Sequence, residues 1–226
     1  METSAGQPEF SDPVLMAGKS RQRSQLYGFL ASVYQKEPTT DFLREIKCSP
    51  VAEALGDAGV ELEPEFFNKP ESELTLELAI EFTRLFVGPG KHIAPCESLH
   101  IAGGDQLWGA PAVAVKQAIS ETGFEFRPEY KDLPDHISVE LEFMQRLSAA
   151  ESEAWGTADC NEARKYRSIE ANFLNNHLSI WVGRFCDRII ADTQTGYFRE
   201  MAKLTRDFIA ADVAECQKDG DKGERK

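Results

Sequence analysis

The chain has 226 residues, enough for one large domain with a full hydrophobic core. Its 42% hydrophobic and 28% charged residues are ordinary for a globular protein, but its net charge of −13 is not. Such an acidic surface repels nucleic acids and anionic membranes, which argues against both as partners. Two interpretations of the charge stay open, a cationic ligand and simple solubility.

The N-terminal segment shows no targeting signal. Residues 1–18 are rich in Gly, Pro and Ser and lack hydrophobic periodicity, so we predict a disordered lead there. Neither a basic n-region nor an apolar stretch of about 18 residues is present, so we expect no stable membrane insertion. Gln22 separates Arg21 from Arg23, so the chain carries no twin-arginine export signal itself. We therefore expect a cytoplasmic protein.

Apolar residues recur at helical spacing along the first half of the chain. Those between residues 26 and 33 predict a first amphipathic helix. Those between residues 74 and 86 recur mainly in steps of three and four, which predicts a second helix. Gly88-Pro89-Gly90 follows directly and supplies both a helix breaker and a C-terminal glycine.

The second half of the chain also has a helical pattern. One helix is predicted from Ala110 to Glu121, where Gly123 stops it. The next begins after Pro134, with Asp135 as its N-cap, and carries residues 137, 141, 144 and 148 on one face.

Two further helical segments complete the pattern, over residues 169–181 and 198–212. No useful period-two alternation and no tight hairpin turn accompany them, so the predicted fold is all-α. The charged residues 217–226 are predicted to form a disordered tail.

No loop or cysteine cluster has the pattern of a cofactor site. Gly88-Pro89-Gly90-Lys91 follows a helix instead of a strand and lacks Ser or Thr after the lysine, so it is not a phosphate loop. His92, Cys96, Glu97 and His100 would share a helix face, but a proline among them excludes a regular helix. We expect no metal, cofactor or disulfide framework. The five cysteines are scattered and odd in number: Cys48, Cys96, Cys160, Cys186 and Cys216.

Asp135, His136 and Glu140 form the most suggestive polar trio. At spacing i, i+4, His136 and Glu140 project from the same helix face. Asp135 could simply cap the helix while His136 pairs with Glu140, or the trio could bind a ligand. No nucleophile or metal set lies beside it in sequence, so we do not expect an enzyme.

Acidic residues concentrate on either side of the two loops. Residues 37–81 contain 12 acidic and 3 basic residues, a net charge of −9. Residues 121–153 contain 9 acidic and 3 basic residues, a net charge of −6. A ligand approaching these loops would meet negative potential, which favours a cationic partner.

Two motifs resemble those of the TorD/DmsD/NarJ chaperones of redox enzymes. The first runs from Glu81 through Leu85-Phe86-Val87-Gly88-Pro89-Gly90 to Pro95-Cys96-Glu97-Ser98. The second is Leu133-Pro134-Asp135-His136, followed by Glu140 and Met144. Cys96 departs from the family pattern, where a proline or an aromatic residue is expected. If Cys96 helps to form the binding surface, this chain should differ from its relatives there.

The resemblance implies an all-helical domain at residues 19–216, with a hinge near residues 130–136 between a larger N-terminal and a smaller C-terminal part. It implies a chaperone, monomeric or a domain-swapped dimer, without catalytic residues. It would bind the twin-arginine signal peptide or the body of a molybdenum-cofactor oxidoreductase precursor and hold it for cofactor insertion before export.

Two alternatives stay open, an assembly factor of the NarJ kind for a subunit that is not exported and a weak nucleotide-binding hydrolase. The client-binding residues that the resemblance implies are Phe86, Gly88, Pro89, Gly90, Pro95, Glu97, Ser98, Pro134, Asp135, His136 and Glu140.

Overall fold

A computed structural model of the chain describes residues 12–101, 109–124 and 133–224. These residues are mostly helical, which confirms the all-α prediction. The α-helices are α1 (Pro13–Gln35), α2 (Thr40–Lys47), α3 (Ser49–Asp57), α4 (Pro64–Asn68), α5 (Glu71–Phe82), α6 (Ala110–Glu121), α7 (Ile137–Gly156), α8 (Cys160–Phe173), α9 (Ser179–Asp192) and α10 (Gly196–Glu224). A π-helical turn, Thr83–Val87, extends α5, and a second, Leu174–Leu178, joins α8 to α9.

Helices extend further toward both ends of the chain than we predicted. Helix α1 begins at Pro13, where Asp12 accepts a hydrogen bond from the backbone N–H of Val14. Residues 13–18 are therefore helical, and residues 1–11 of the predicted lead lie outside the described residues. Helix α10 runs to Glu224 through most of the predicted tail, because that charged segment contains no proline to end the helix.

Local signals located the central helices correctly. Helix α6 has the predicted bounds, and Gly123 follows it with a φ of 77°, a conformation that favours glycine. The predicted stop after Phe86 is also confirmed, since the π turn ends at Val87 and Gly88 is extended. The predicted hinge near residues 130–136 lies partly outside the described residues, because 125–132 are not among them.

Helix α1 packs antiparallel to both α7 and α10. Along α7, Ala17 contacts Ser152 and Ser24 contacts Gln145, so α1 and α7 run in opposite directions. At Gly28 the helices approach so closely that a Cβ atom would lie 2.5 Å from the Gln145 amide nitrogen. The core around them is continuous and includes α5, α8 and α9.

A buried ionic cluster joins α1, α7, α8 and α10. The Arg23 guanidinium, at the centre, pairs with Glu151 and Glu170 and lies 3.8 Å from Asp212. Arg167 pairs with Glu170 and Asp212, at 3.0 Å each. Three carboxylates thus face two guanidinium groups, and burial raises the pKa of Glu170 to about 7. No helix among the described residues is long and apolar enough to cross a membrane.

Candidate functional site

The two loops singled out by sequence lie side by side and are hydrogen-bonded to each other. Cys96 and His136 form an antiparallel β-bridge. The backbone N–H of Glu97 donates to Asp135 O at 2.9 Å, and that of Ile137 donates to Pro95 O at 2.8 Å. Residues about 40 positions apart in sequence therefore form one structural unit at the start of α7.

The first loop folds back on the helix that precedes it. The backbone N–H of Gly88 donates to Thr83 O at 2.6 Å, and that of Ile93 donates to Leu85 O at 2.7 Å. Pro89 is exposed, as is Gly90, whose φ of 119° favours glycine. Of the predicted residues, these two therefore lie on the surface.

Phe86, in contrast, is a core residue. Its ring packs against Tyr34, Phe82, Phe185 and Phe198. Only 6% of the residue is exposed, so it anchors the helix that leads into the first loop.

Asp135 is fully buried and does not cap α7, contrary to our prediction. Its Oδ2 atom accepts the backbone N–H of Ser98 at 2.9 Å, because the bridge between the loops brings that N–H nearer than the helix terminus. The N-cap is His136, whose Nδ1 accepts the N–H of Ser138. Asp135 therefore holds the first loop against the second.

Glu97 and Glu140 are also buried, and each contacts the helical segment formed by the second π turn and α9. His177 donates from Nδ1 to Glu97 at 2.9 Å, and Trp181 donates from Nε1 to Glu140 at 3.2 Å. The predicted pairing of Glu140 with His136 is wrong, because Glu140 faces the core whereas the His136 ring contacts Ser138. Both loops are thus fixed to a third segment.

Buried groups where the two loops meet have shifted pKa values and incomplete hydrogen bonding. Burial, with nearby Glu97 and Asp135, raises the pKa of Glu140 well above its usual value. Burial also lowers the pKa of His136 to about 4, so its ring is neutral at pH 7. Asp135 Oδ1, Glu140 Oε1 and the Ser98 hydroxyl have no hydrogen-bond partner among the described residues.

The loosely spaced metal-ligand candidates do not converge. His92 is exposed, whereas the Cys96 side chain is buried and its pKa is raised to about 12 by desolvation. Glu97 is paired with His177, and the His100 ring packs against Trp181. Among residues 12–101, 109–124 and 133–224, no group of three ligating side chains is placed to hold a metal ion. Because Cys96 is buried, it does not form the surface contact on which we expected a difference from the relatives.

A groove opens beside the buried pair of Glu97 and His177. Phe143 and Phe173 form apolar walls, His177 lies at its inner side, and Glu121 adds a carboxylate. At the bridge between the two loops, Pro95 and His136 are half-buried, whereas Pro134 is buried. The groove combines apolar walls with a carboxylate and an imidazole, a lining that suits a ligand with both apolar and polar groups.

Sequence reasoning missed the long-range contacts of this site. The sequence could not identify Glu97 as the partner of His177, which lies 80 positions away. The Arg23 cluster was also missed, since its members are spread along the chain from Arg23 to Asp212.

Comparisons with known proteins agree along most of the chain. The family model described as nitrate reductase delta subunit matches residues 48–187. A chaperone protein TorD from Aliivibrio fischeri is 24% identical over 205 residues, covering 86% of this chain and 94% of the relative. Another, from Photobacterium profundum, is 26% identical over 208 residues with the same coverage. A third, from Vibrio vulnificus, is 26% identical and covers 85% of this chain and 94% of its own.

Proposed function

This chain belongs to the nitrate reductase delta subunit family, and we accordingly propose that it is a cytoplasmic TorD-like chaperone for a molybdenum-cofactor oxidoreductase. It binds the twin-arginine signal peptide, or the body, of the precursor and holds it until the cofactor is inserted. The match to relatives named as chaperones, over 94% of their length, carries this proposal. It is not an enzyme.

The proposed client-binding surface comprises the exposed and half-buried parts of the two loops. Pro89, Gly90, Pro95 and His136 contact the client. The remaining predicted residues do not contact the client but hold the two loops in place: Phe86, Gly88, Glu97, Ser98, Pro134, Asp135 and Glu140. Six of these seven are buried, and a side chain without solvent access cannot reach a client unless the loops open. Gly88 is half-buried and is included because its N–H donates to Thr83 O and so holds the first loop.

Charge supports a cationic client. The chain carries a net charge of −13, with acidic stretches on both sides of the two loops. A twin-arginine leader combines two guanidinium groups with an apolar, helix-prone stretch, so it is attracted electrostatically and can bury apolar surface. We propose releasable, about micromolar binding, because ordering the peptide offsets much of the gain from burial.

Calorimetric titration tests this proposal. The probe is a synthetic peptide with an Arg-Arg pair before an apolar stretch, and its matched control carries Gln-Gln instead. We expect the Arg-Arg peptide to bind at least about tenfold more tightly, with an affinity that falls as salt increases. Equal affinities would refute recognition of the signal. Binding of a precursor that lacks its leader would instead identify the client's body as the target, the alternative of the NarJ kind.

Domain organisation and oligomeric state belong to the same proposal. We propose a hinge near residues 130–136, and a monomer that can convert to a domain-swapped dimer. Helices α1 to α6 precede the hinge and α7 to α10 follow it. Sedimentation at several protein concentrations distinguishes the two oligomeric states.

A further inference from the structure

The outward face of α5 carries exposed apolar side chains. Leu76, Ile80 and Val87 are 64%, 63% and 65% exposed. Leu76 and Ile80 are four residues apart on α5, which places them on one side of the helix, and Val87 is exposed at the end of the π turn that follows. The opposite side of α5 is buried in the core, through Leu74 and Leu78. We refer to Leu76, Ile80 and Val87 as the α5 stripe.

The α5 stripe continues directly into the first loop. Val87 ends the π turn Thr83–Val87, and Gly88 follows it. Within this turn Leu85 and Phe86 point into the core while Val87 points outward. π turns within helices occur frequently at functional sites, because their extra residue re-aims the side chains that follow. Here the turn joins an exposed apolar surface to the exposed Pro89 and Gly90.

Acidic side chains border the stripe near both ends. Glu73 lies one turn before Leu76, and Glu37 accepts a hydrogen bond from the Thr83 hydroxyl at 3.1 Å. Both glutamates are exposed, and neither forms an ion pair with any described residue. Arg84, the nearby cation, already pairs with Glu81 and Asp192. Glu37 and Glu73 are therefore exposed carboxylates that a cationic ligand can reach.

We propose that the α5 stripe docks the apolar, helix-prone stretch of the client's leader, with Glu37 and Glu73 facing its basic residues. This inference rests on the proposed function and extends it by assigning a surface on α5, of which only Val87 belongs to the first motif. Charge selects this occupant. A second copy of the chain or an anionic membrane would bring further negative charge to this surface, whereas the basic residues of a leader are attracted to it.

The apolar part of the inference is tested with the double variant Leu76→Ser/Ile80→Ser of the full chain. We expect it to bind the synthetic Arg-Arg peptide about tenfold or more weakly, because truncated anchors at an interface typically cost at least that much. The matched control is Val14→Ser/Leu15→Ser, which removes two side chains that are 79% and 57% exposed on α1. This control should bind like the wild type. Unchanged binding by the α5 variant would overturn the inference.

The charge part is tested with Glu37→Gln/Glu73→Gln and both peptides. We expect the variant to bind the Arg-Arg peptide several-fold more weakly and the Gln-Gln peptide with unchanged affinity, since only the first offers guanidinium partners. Glu153→Gln, which neutralises an exposed carboxylate on α7, is the control. Equal losses for both peptides would refute the proposed pairing.

Two outcomes separate this inference from the proposed function. A wild-type chain that binds neither peptide nor precursor would refute the proposed function, and the inference with it. Wild-type binding that survives both α5 variants would refute the inference alone. If Leu76→Ser/Ile80→Ser converts a dimer to a monomer in sedimentation while peptide binding is unchanged, the stripe contacts a second copy and the inference is wrong.

Discussion

The buried carboxylates near the two loops form hydrogen bonds with other segments of the same chain. Asp135 accepts a backbone N–H from the first loop, Glu97 accepts from His177 and Glu140 accepts from Trp181. Burying a carboxylate is costly unless hydrogen bonds compensate for the lost water, so these side chains are stable only in this arrangement. Their direct use by a client would require the loops to separate.

Replacing Asp135 tests this structural role. Asp135→Ala leaves the buried N–H of Ser98 without an acceptor, so we expect a loss of about 1–3 kcal/mol in the free energy of unfolding. Asp135→Asn keeps an oxygen acceptor and should retain most of the stability. Urea denaturation of both variants measures the difference. If alanine and asparagine were equally destabilising, the hydrogen bond to Ser98 would not be the reason that Asp135 matters.

Glu140 should make stability depend on pH. Burial raises the pKa of the Glu140 carboxyl in the folded chain. When the pH rises above the usual glutamate range, this carboxyl loses its proton in the unfolded chain before it does so in the folded chain. The free energy of unfolding therefore falls as the pH rises. Glu140→Gln removes that effect while keeping an acceptor for Trp181. We expect the variant to gain stability relative to the wild type between pH 5 and about pH 8, measured by urea denaturation. A constant difference across this range would contradict a raised pKa. The lowered His136 pKa makes stability rise with pH between about 4 and the ordinary histidine value of 6.5, but it acts alike on both proteins and cancels in their difference.

At the level of helices, local signals predicted positions well and orientations less well. Capping residues and glycines located α6 and the end of α5, because these features depend only on neighbouring residues. Periodicity predicted one helical segment over residues 169–181, yet Ile180 within it is 42% exposed. The π turn Leu174–Leu178 interrupts this segment and rotates the turns after it relative to those before it. Hydrophobic spacing alone does not reveal such an insertion.

The buried ion pairs of Arg23 should stabilise the assembly of the helices around it. Arg23→Met leaves the three buried carboxylates with Arg167 alone, so we expect a loss of about 3–5 kcal/mol near pH 8. The loss should shrink near pH 5.5, because the unpaired carboxylates then take up protons. Thermal and urea unfolding at both pH values measure it. Arg21→Met, two positions away and exposed, is the control, and an equal loss there would refute the role of the cluster.

For the whole molecule, the sequence predicted the fold class and the family but not which side chains contact each other within the site. Helical periodicity and two motifs predicted an all-α chaperone, and both loops proved adjacent. The partners of Glu97 and Glu140 could not be predicted, since they depend on how distant helices pack. The buried position of Cys96 was missed for the same reason, because its loop has no periodic pattern.

The ionic cluster also bears on how two chains could exchange halves. Arg23 precedes the proposed hinge, whereas Glu151, Glu170, Asp212 and Arg167 all follow it. In an exchanged pair, each Arg23 would meet the same four side chains, contributed by the other molecule. The cluster would be equally complete in either form, so it cannot discriminate between them. The balance would then depend on the conformation of the connecting segment and on protein concentration, and Arg23→Met would weaken both forms alike.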